Sequence, residues 1–116
     1  MRGILLFLLI SLAILPAAKG QDTQSCVDIC FRVQVAASTK PLMANDQQFK
    51  DFADLEAIRF PDGYYRYFTG KFETYFAAQE HLETVKAKGY AKAFVLALQG
   101  LKRMTPDEAI ELIYAN

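Results

Sequence analysis

Two apolar stretches of the sequence each contain polar side chains that can donate or accept hydrogen bonds. Phe31–Ser38 contains Gln34, and Tyr64–Phe72 contains Arg66. Burying an amide or a guanidinium group inside a sheet is costly unless hydrogen-bond partners are buried with it. We therefore expect a sheet that is covered by helices on one face and open on the other, where these side chains and nearby aromatic rings could bind a ligand.

Side-chain alternation assigns the residues of the first stretch to the two faces of this sheet. On a strand, Arg32, Gln34 and Ala36 share one face, which we expect to be the open one. Val33 and Val35 share the opposite face and are expected to pack against the helices. The predicted ligand surface thus combines hydrogen-bonding groups with an apolar surround.

Residue types that perform catalysis are present, but their spacing does not define a catalytic site. A zinc site made from Cys26, Cys30 and His81 would lack a fourth ligand and any standard ligand spacing. The spacing also gives no reason to pair a cysteine with His81 as nucleophile and base. Asp107 and Glu108 fit the start of a helix, where acidic side chains stabilise the N-terminus. With no glycine-rich phosphate loop, the sequence predicts a protein that is not an enzyme and uses neither metal nor cofactor.

The N-terminal segment has the pattern of a secretory signal peptide. Arg2 gives a positive start, residues 4–15 are apolar apart from one serine, and small residues occur within 18–20. The apolar run is shorter than the ~20 residues that a membrane-spanning helix needs, and an uncleaved anchor is the competing interpretation. We expect residues 1–20 to be removed and a soluble, exported, periplasmic protein to begin near Gln21.

Charge and length limit the function of the mature chain. Cleavage removes two of the 13 Lys and Arg residues and none of the 13 Asp and Glu residues, which leaves a net charge of about −2. This balance lacks the basic patch that nucleic-acid binding needs. The remaining length suits one small domain, and we predict a short leader over residues 21–30 and one domain over residues 31–116.

Two cysteines lie in the predicted leader. Cys26 and Cys30 are separated by three residues. An extended strand would hold their Cα atoms ~13 Å apart, beyond the ~7 Å limit for a disulfide. A turn or a helical turn brings them within reach, and disulfides persist in exported proteins. We expect a local disulfide before the first strand.

The order of apolar patterns and turn signals predicts an α+β fold. Strands are predicted at residues 31–37, 57–60, 64–68 and 94–98, with a short edge strand at 101–104. Together with the helices, the order is β-α-β-β-α-β followed by a terminal helix. This split β-α-β arrangement predicts a four-stranded antiparallel sheet with helices on one face.

Helix start and stop signals predict three helices. The first is predicted over residues 45–55, with Asn45 or Asp46 as its N-terminal cap. The second is capped by Thr74 and ends near Gly89, where a left-handed residue is common. The last is capped by Thr105, with Pro106 at the first helical position.

Four segments resemble, in order and spacing, the motifs of one known domain family. Val33–Ser38 resembles an opening strand usually written Val-Gln-x-Gly-Ser/Ala-Phe, and Tyr65–Phe72 resembles a Tyr-Arg-Val-x-x-Gly-Pro-Phe strand. Ala78–Gly89 resembles the second helix of that family, and Ala93–Leu98 resembles its last strand. Over residues 31–98 the chain therefore resembles the SPOR (sporulation-related repeat) family of peptidoglycan-binding domains.

The resemblance implies a binding function and assigns residues to it. Such domains bind glycan strands that have lost their stem peptides, usually near the division septum. Gln34 matches the strand glutamine associated with binding, and Arg66 matches a polar or basic residue on the third strand. Tyr64 matches the aromatic residue two positions earlier, and Phe94 matches an apolar site on the last strand. The resemblance thus predicts a non-catalytic glycan-binding site at these four residues.

The alternative is a secreted adaptor of the same fold that binds another cell-envelope protein. Ala36 stands where the family usually has Gly, Ala37 where Ser is common, and Lys71 where Pro is common. A fold that persists without sugar recognition would use the same sheet face or a sheet edge for the protein partner. Both functions stay open on the sequence.

Overall fold

The structure is a computed structural model that describes residues 26–42 and 47–115. One antiparallel sheet is formed by β1 (Ile29–Ser38), β2 (Glu56–Arg59), β3 (Tyr65–Phe72), β4 (Phe94–Gln99) and β5 (Lys102–Met104). The strands lie side by side in the order β2-β3-β1-β4-β5. With the helices α1 (Tyr75–Ala87) and α2 (Pro106–Tyr114), they form an α+β fold. The predicted fold class is confirmed, and the edge strand β5 makes the sheet five-stranded.

Both helices pack on the same face of the sheet, which we call the helix-packed face. Its core consists of apolar side chains from three strands and both helices: Phe31, Val33, Val95, Ala97, Met104, Ala78, Leu82, Val85 and Ala109. Val35 packs against the edge of this core, on the predicted face. Neither α1 nor α2 is long and apolar enough to cross a membrane.

Both helices begin at the predicted caps. The side chain of Thr74 accepts a hydrogen bond from the backbone N–H of Ala77. The side chain of Thr105 accepts a hydrogen bond from the N–H of Glu108, whose carboxylate accepts one from the N–H of Thr105. These bonds satisfy N–H groups that the first helical turn leaves unpaired. Because Thr105 directly follows β5, its capping box fixes the point at which α2 leaves the sheet.

The prediction of a helix over residues 45–55 is wrong. In the described part of this segment there is only a 3₁₀ turn at Gln47–Phe49, and the predicted cap at residue 45 or 46 lies outside the described residues. Phe49 stacks on Tyr67 of β3 with 5.1 Å between the ring centres, and Asp54 accepts hydrogen bonds from the same strand. On an α-helix, residues five apart point about 140° away from each other. A continuous helix could not make both contacts, so tertiary packing decides the local conformation.

Two bulges bend the sheet. In β3, Gly70 has a φ of 82° where the pairing with β1 shifts register. In β1, the register shifts again between Gln34 and Ala36, so that Ala36 lies opposite Tyr67 on the helix-packed face. The prediction that Ala36 shares a face with Gln34 is therefore wrong, because a bulge interrupts the strict alternation of side chains. Bulges also increase the local twist and bend of a strand.

The other face of the sheet, which we call the concave face, is not open to solvent as the sequence predicted. It contains a second apolar cluster formed by Phe60, Phe68, Leu96 and Leu98. The end of the β2–β3 hairpin reaches across this face, and Asp62 Oδ2 lies 3.7 Å from Nη2 of Arg103 on β5 at the far side of the sheet. As a result, Gln34 and Arg66 are only 7% and 8% exposed.

The N-terminal end of the described chain is tied to the first strand. Cys26 and Cys30 are joined by a disulfide, with their Cα atoms 5.4 Å apart. Because β1 begins at Ile29, two residues earlier than predicted, Cys30 lies within the strand and the bridge closes the turn leading into it. The predicted signal peptide over residues 1–20 lies outside the described residues.

Candidate ligand-binding site

The four predicted site residues form two neighbouring pairs. Gln34 on β1 lies directly opposite Phe94 on β4. The ring centre of Tyr64 lies 5.1 Å from the guanidinium carbon of Arg66. Phe68 separates the pairs, because it lies opposite Gln34 across the β1–β3 ladder and two positions after Arg66 on the same strand.

Gln34 is buried with an unused acceptor atom. Within the described part of the chain, its Oε1 has no hydrogen-bond partner. Its cross-strand neighbours Phe68 and Phe94 have no side-chain donors to offer. Most buried polar atoms are paired, because leaving one unpaired costs about 1–3 kcal/mol. An O–H or N–H group of a ligand would satisfy this oxygen.

Arg66 is held in place by its own hairpin. Its Nη1 and Nη2 donate hydrogen bonds of 3.1 and 3.0 Å to the two carboxylate oxygens of Asp62. The guanidinium lies between the rings of Phe60 and Tyr64, 5.0 and 5.1 Å from their centres. Hydrogen bonds from Arg66 and from the N–H of Tyr64 lower the pKa of Asp62 to about 2. Arg66 is therefore paired with a stable carboxylate, and it positions the hairpin end over the concave face.

Arg32 is a second cation whose groups are used by the fold. Its Nε donates a hydrogen bond to the carbonyl of Gly70, and its guanidinium carbon lies 5.2 Å from the ring centre of Phe68. Nη1 lies 3.0 Å from Oε1 of Glu56, but this buried oxygen has no aligned hydrogen bond among the described residues. The contact is therefore an ion pair held by charge. Arg32 forms part of the floor of the concave face.

A cleft of about 530 Å³ opens between the hairpin end and the β4–β5 edge. Among the residues that line it are Phe60, Phe94, Leu96, Leu101, Asp62, Arg103, Thr105 and Glu108. Phe94 is 47% exposed in this cleft although its cross-strand neighbour Gln34 is buried. An apolar wall with a few polar groups at its rim is typical of a ligand site.

The resemblance assigned Phe94 to the binding site, and the structure places Phe94 in a cleft that the sequence did not predict. Asp62 and Arg103 are 41 positions apart in the chain, and they meet only because the sheet curls. No local pattern in the sequence carries that information. The turn residues Pro61 and Gly63 indicated the hairpin, but not the direction in which it bends.

A polar network on the helix-packed face contains residue types found in catalytic triads. Thr69 Oγ1 lies 2.6 Å from Oδ1 of Asp54 and 3.2 Å from Nε2 of His81. A carboxylate only accepts hydrogen bonds, so the hydroxyl proton goes to Asp54 and the Thr69 oxygen accepts from the Nε2–H of His81. In a catalytic triad the histidine lies between the carboxylate and the hydroxyl. Here the hydroxyl lies in the middle, and His81 cannot remove its proton.

This network instead joins α1 to the bulge of β3. Asp54 Oδ2 also accepts a 2.9 Å hydrogen bond from the N–H of Gly70. The ring of His81 packs against Phe72, with 5.2 Å between the ring centres. Burial lowers the pKa of His81 below its ordinary value of 6.5, while the charge of Asp54 opposes that shift.

Metal-binding groupings are absent from residues 26–42 and 47–115, where no three His, Cys, Asp or Glu side chains come together to hold an ion. Comparisons with protein-family models, with curated proteins and with solved structures gave no match. The functional interpretation therefore depends on the chemistry of the concave face and on the motifs described above.

Proposed function

We propose that this chain is an exported, non-catalytic module that binds peptidoglycan glycan strands, with the ligand in the cleft beside Gln34. The resemblance to SPOR motifs predicts this ligand class, and the α+β fold is of the kind that the resemblance implies. The observation that carries the proposal is the unpartnered Oε1 of Gln34 next to the exposed ring of Phe94. A buried acceptor without a partner costs stability, and a ligand that supplies a donor would remove that cost.

A glycan strand has the groups that this surface requires. Its sugars present O–H and acetamido N–H donors at their edges and apolar C–H groups on their ring faces. Phe94 offers an exposed aromatic face for stacking, and Tyr64 offers a second at the hairpin end. Gln34 is 7% exposed and is not among the residues that line the cleft, so the side chain of Gln34 or Phe94 would have to shift before a small group at the edge of a sugar could meet Oε1. Phe94 therefore makes the larger contact and Gln34 the more selective one.

The resemblance implies a strand that has lost its stem peptides, and the cleft has a wall on each of two sides. The hairpin end with Asp62 bounds the cleft on one side, and the start of α2 with Thr105 bounds it on the other. A bare glycan strand is narrower than one that carries peptides. A stem peptide on a bound strand would have to pass one of these two walls.

A pull-down with insoluble peptidoglycan tests the proposal. The exported protein is mixed with intact material and with amidase-treated material, and the bound fraction is compared for the parent, Phe94→Ala and Phe76→Ala. Phe76 is the matched control because it is an equally large ring, 71% exposed on α1 and away from the cleft. We expect binding to increase with peptide removal and to fall about fivefold for Phe94→Ala, the size of one aromatic contact.

The outcomes separate the two functions. Both variants should have the melting temperature of the parent, since both rings are exposed. Equal loss of binding in both variants would contradict the site, and no binding of the parent to either preparation would contradict the glycan ligand. The adaptor function would then be favoured, and it has an observation of its own: large apolar side chains are exposed at the start of α1 and the end of α2, namely Tyr75, Phe76, Leu112, Ile113 and Tyr114.

A further inference from the structure

We infer that Arg103 forms a carboxylate-binding subsite at the rim of the cleft, and that the glycan bound there carries a free carboxylate. The identity of the ligand as a glycan rests on the proposed function. Arg103 lies on β5 opposite Leu98, lines the cleft and is 43% exposed. No sequence motif pointed to this residue.

Arg103 is oriented by the fold while its hydrogen-bond donors stay unused. Its guanidinium carbon lies 5.9 Å from the ring centre of Phe60, which holds the side chain against the wall of the cleft. Its Nη2 lies 3.7 Å from Oδ2 of Asp62, a distance beyond a hydrogen bond. Within the described residues Arg103 donates no hydrogen bond to the protein, and a guanidinium has five N–H donors to offer.

The two carboxylates that line the cleft have partners in the protein. The carboxylate of Asp62 is held by both terminal nitrogens of Arg66. The carboxylate of Glu108 accepts a 2.9 Å hydrogen bond from the N–H of Thr105 at the start of α2, where the helix dipole offsets a negative charge. Arg103 is the cation that lines this cleft, and its one ionic contact, with Asp62, leaves its N–H donors without a hydrogen bond among the described residues.

Peptide removal creates the matching anion on a glycan strand. In muramic acid the stem peptide is attached through an amide to the lactyl group, and cleavage of that amide leaves a free carboxylate. Arginine binds a carboxylate through two parallel N–H···O bonds. Arg103 would thus distinguish stripped from peptide-bearing glycan by charge.

The test uses one disaccharide in two chemical forms. The exported protein is titrated with N-acetylglucosaminyl-N-acetylmuramic acid and with the same disaccharide whose lactyl carboxylate has been converted to a carboxamide. The parent should bind the acid about tenfold more tightly than the amide, because the amide lacks the carboxylate that would form a charge-assisted hydrogen bond with Arg103. Arg103→Gln should bring this ratio to about one, and salt should narrow it in the parent because ions screen exposed charges.

Two further variants sharpen the test. Lys102→Gln removes the same charge from the neighbouring residue of β5, whose side chain points to the other face, and it should keep the preference of the parent. Asp62→Asn removes the anion closest to Arg103 and also the oxygen that accepts from Nη2 of Arg66, so its melting temperature is measured beside its affinity; if it melts like the parent, it should increase the preference for the acid.

Each outcome decides a different point. Equal affinity of the parent for acid and amide would overturn the carboxylate subsite and leave the glycan-binding function standing. A full preference retained by Arg103→Gln would overturn the role of this residue. Binding of neither disaccharide, together with no binding to stripped peptidoglycan, would overturn both the subsite and the proposed function.

Discussion

Two buried polar groups on neighbouring strands show how differently the two faces of the sheet are built. Thr69 on the helix-packed face is 1% exposed, and its hydroxyl contacts both Asp54 and His81. Gln34 on the concave face is 7% exposed, and its Oε1 has no partner among the described residues. Burial is similar, so the difference lies in whether the fold supplies partners. A satisfied polar group supports the fold, whereas an unsatisfied one costs free energy, and in our proposal a ligand supplies the missing partner.

The bulge at Gly70 connects the two faces. Its N–H donates to Asp54 of the Thr69 network, and its carbonyl accepts from Arg32 on the concave face. A change at this position therefore affects both faces at once. Changes at Thr69 or Gln34 affect one face each, which makes the contrast testable.

The largest effect is expected for Gly70→Ala, with Gly63→Ala as the matched control. Both glycines have positive φ values, 82° and 91°, so both variants suffer backbone strain of roughly 1–2 kcal/mol. A Cβ at Gly70 would overlap the ring of Phe72 and lie 3.0 Å from His81, whereas one at Gly63 would meet nothing within 4 Å. Urea denaturation should show a loss of about 3 kcal/mol or more for Gly70→Ala and about 1 kcal/mol for Gly63→Ala. Equal losses would contradict the packing of the bulge.

Thr69→Val should have the next largest effect. Valine keeps the shape of threonine but removes the hydroxyl that Asp54 and His81 contact. We expect a loss of about 2 kcal/mol, because the hydroxyl is buried and donates to a charged group. The control is Thr84→Val on the exposed side of α1, which should stay within about 0.5 kcal/mol of the parent. If the two variants have the same stability, the Thr69 network does not support the fold.

A smaller effect is expected from the protonation of His81, the single histidine in the sequence. Burial lowers its pKa, so the unfolded chain binds the proton more readily than the folded chain does. The contribution of His81 to stability is therefore full above about pH 6.5, the unfolded value, and is lost as the pH falls below it. Between pH 7.5 and pH 5.0, the urea midpoint should fall further for the parent than for His81→Gln. An equal fall would show that His81 titrates as it does in the unfolded chain.

The parts of this structure that the sequence predicted are those set by local chemistry. Thr74 and Thr105 act as caps because the hydrogen bonds that define a cap lie within four residues. The direction of Gln34 and Arg66, away from the helices, follows from alternation along their strands. These features depend on short stretches of chain.

The parts that the sequence did not predict are set by contacts between distant residues. The segment over residues 45–55 gives up its helical pattern to contact β3, and the bulge after Gln34 turns Ala36 to the other face. The burial of Arg66 depends on a hairpin that bends across the sheet to reach Arg103. Neither the spacing nor the composition of the residues predicts that bend, because it depends on contacts between distant parts of the chain.

The most direct test of the binding surface is Gln34→Leu. Leucine has a similar volume and no polar atom, so it removes the unsatisfied oxygen from the concave face. The free energy of unfolding and the affinity for peptide-stripped glycan are measured on the same preparation. We expect a protein that is about 1 kcal/mol more stable than the parent and binds the glycan about tenfold more weakly. A destabilised variant that still binds glycan like the parent would contradict this expectation, because Gln34 would then serve the fold and not a ligand.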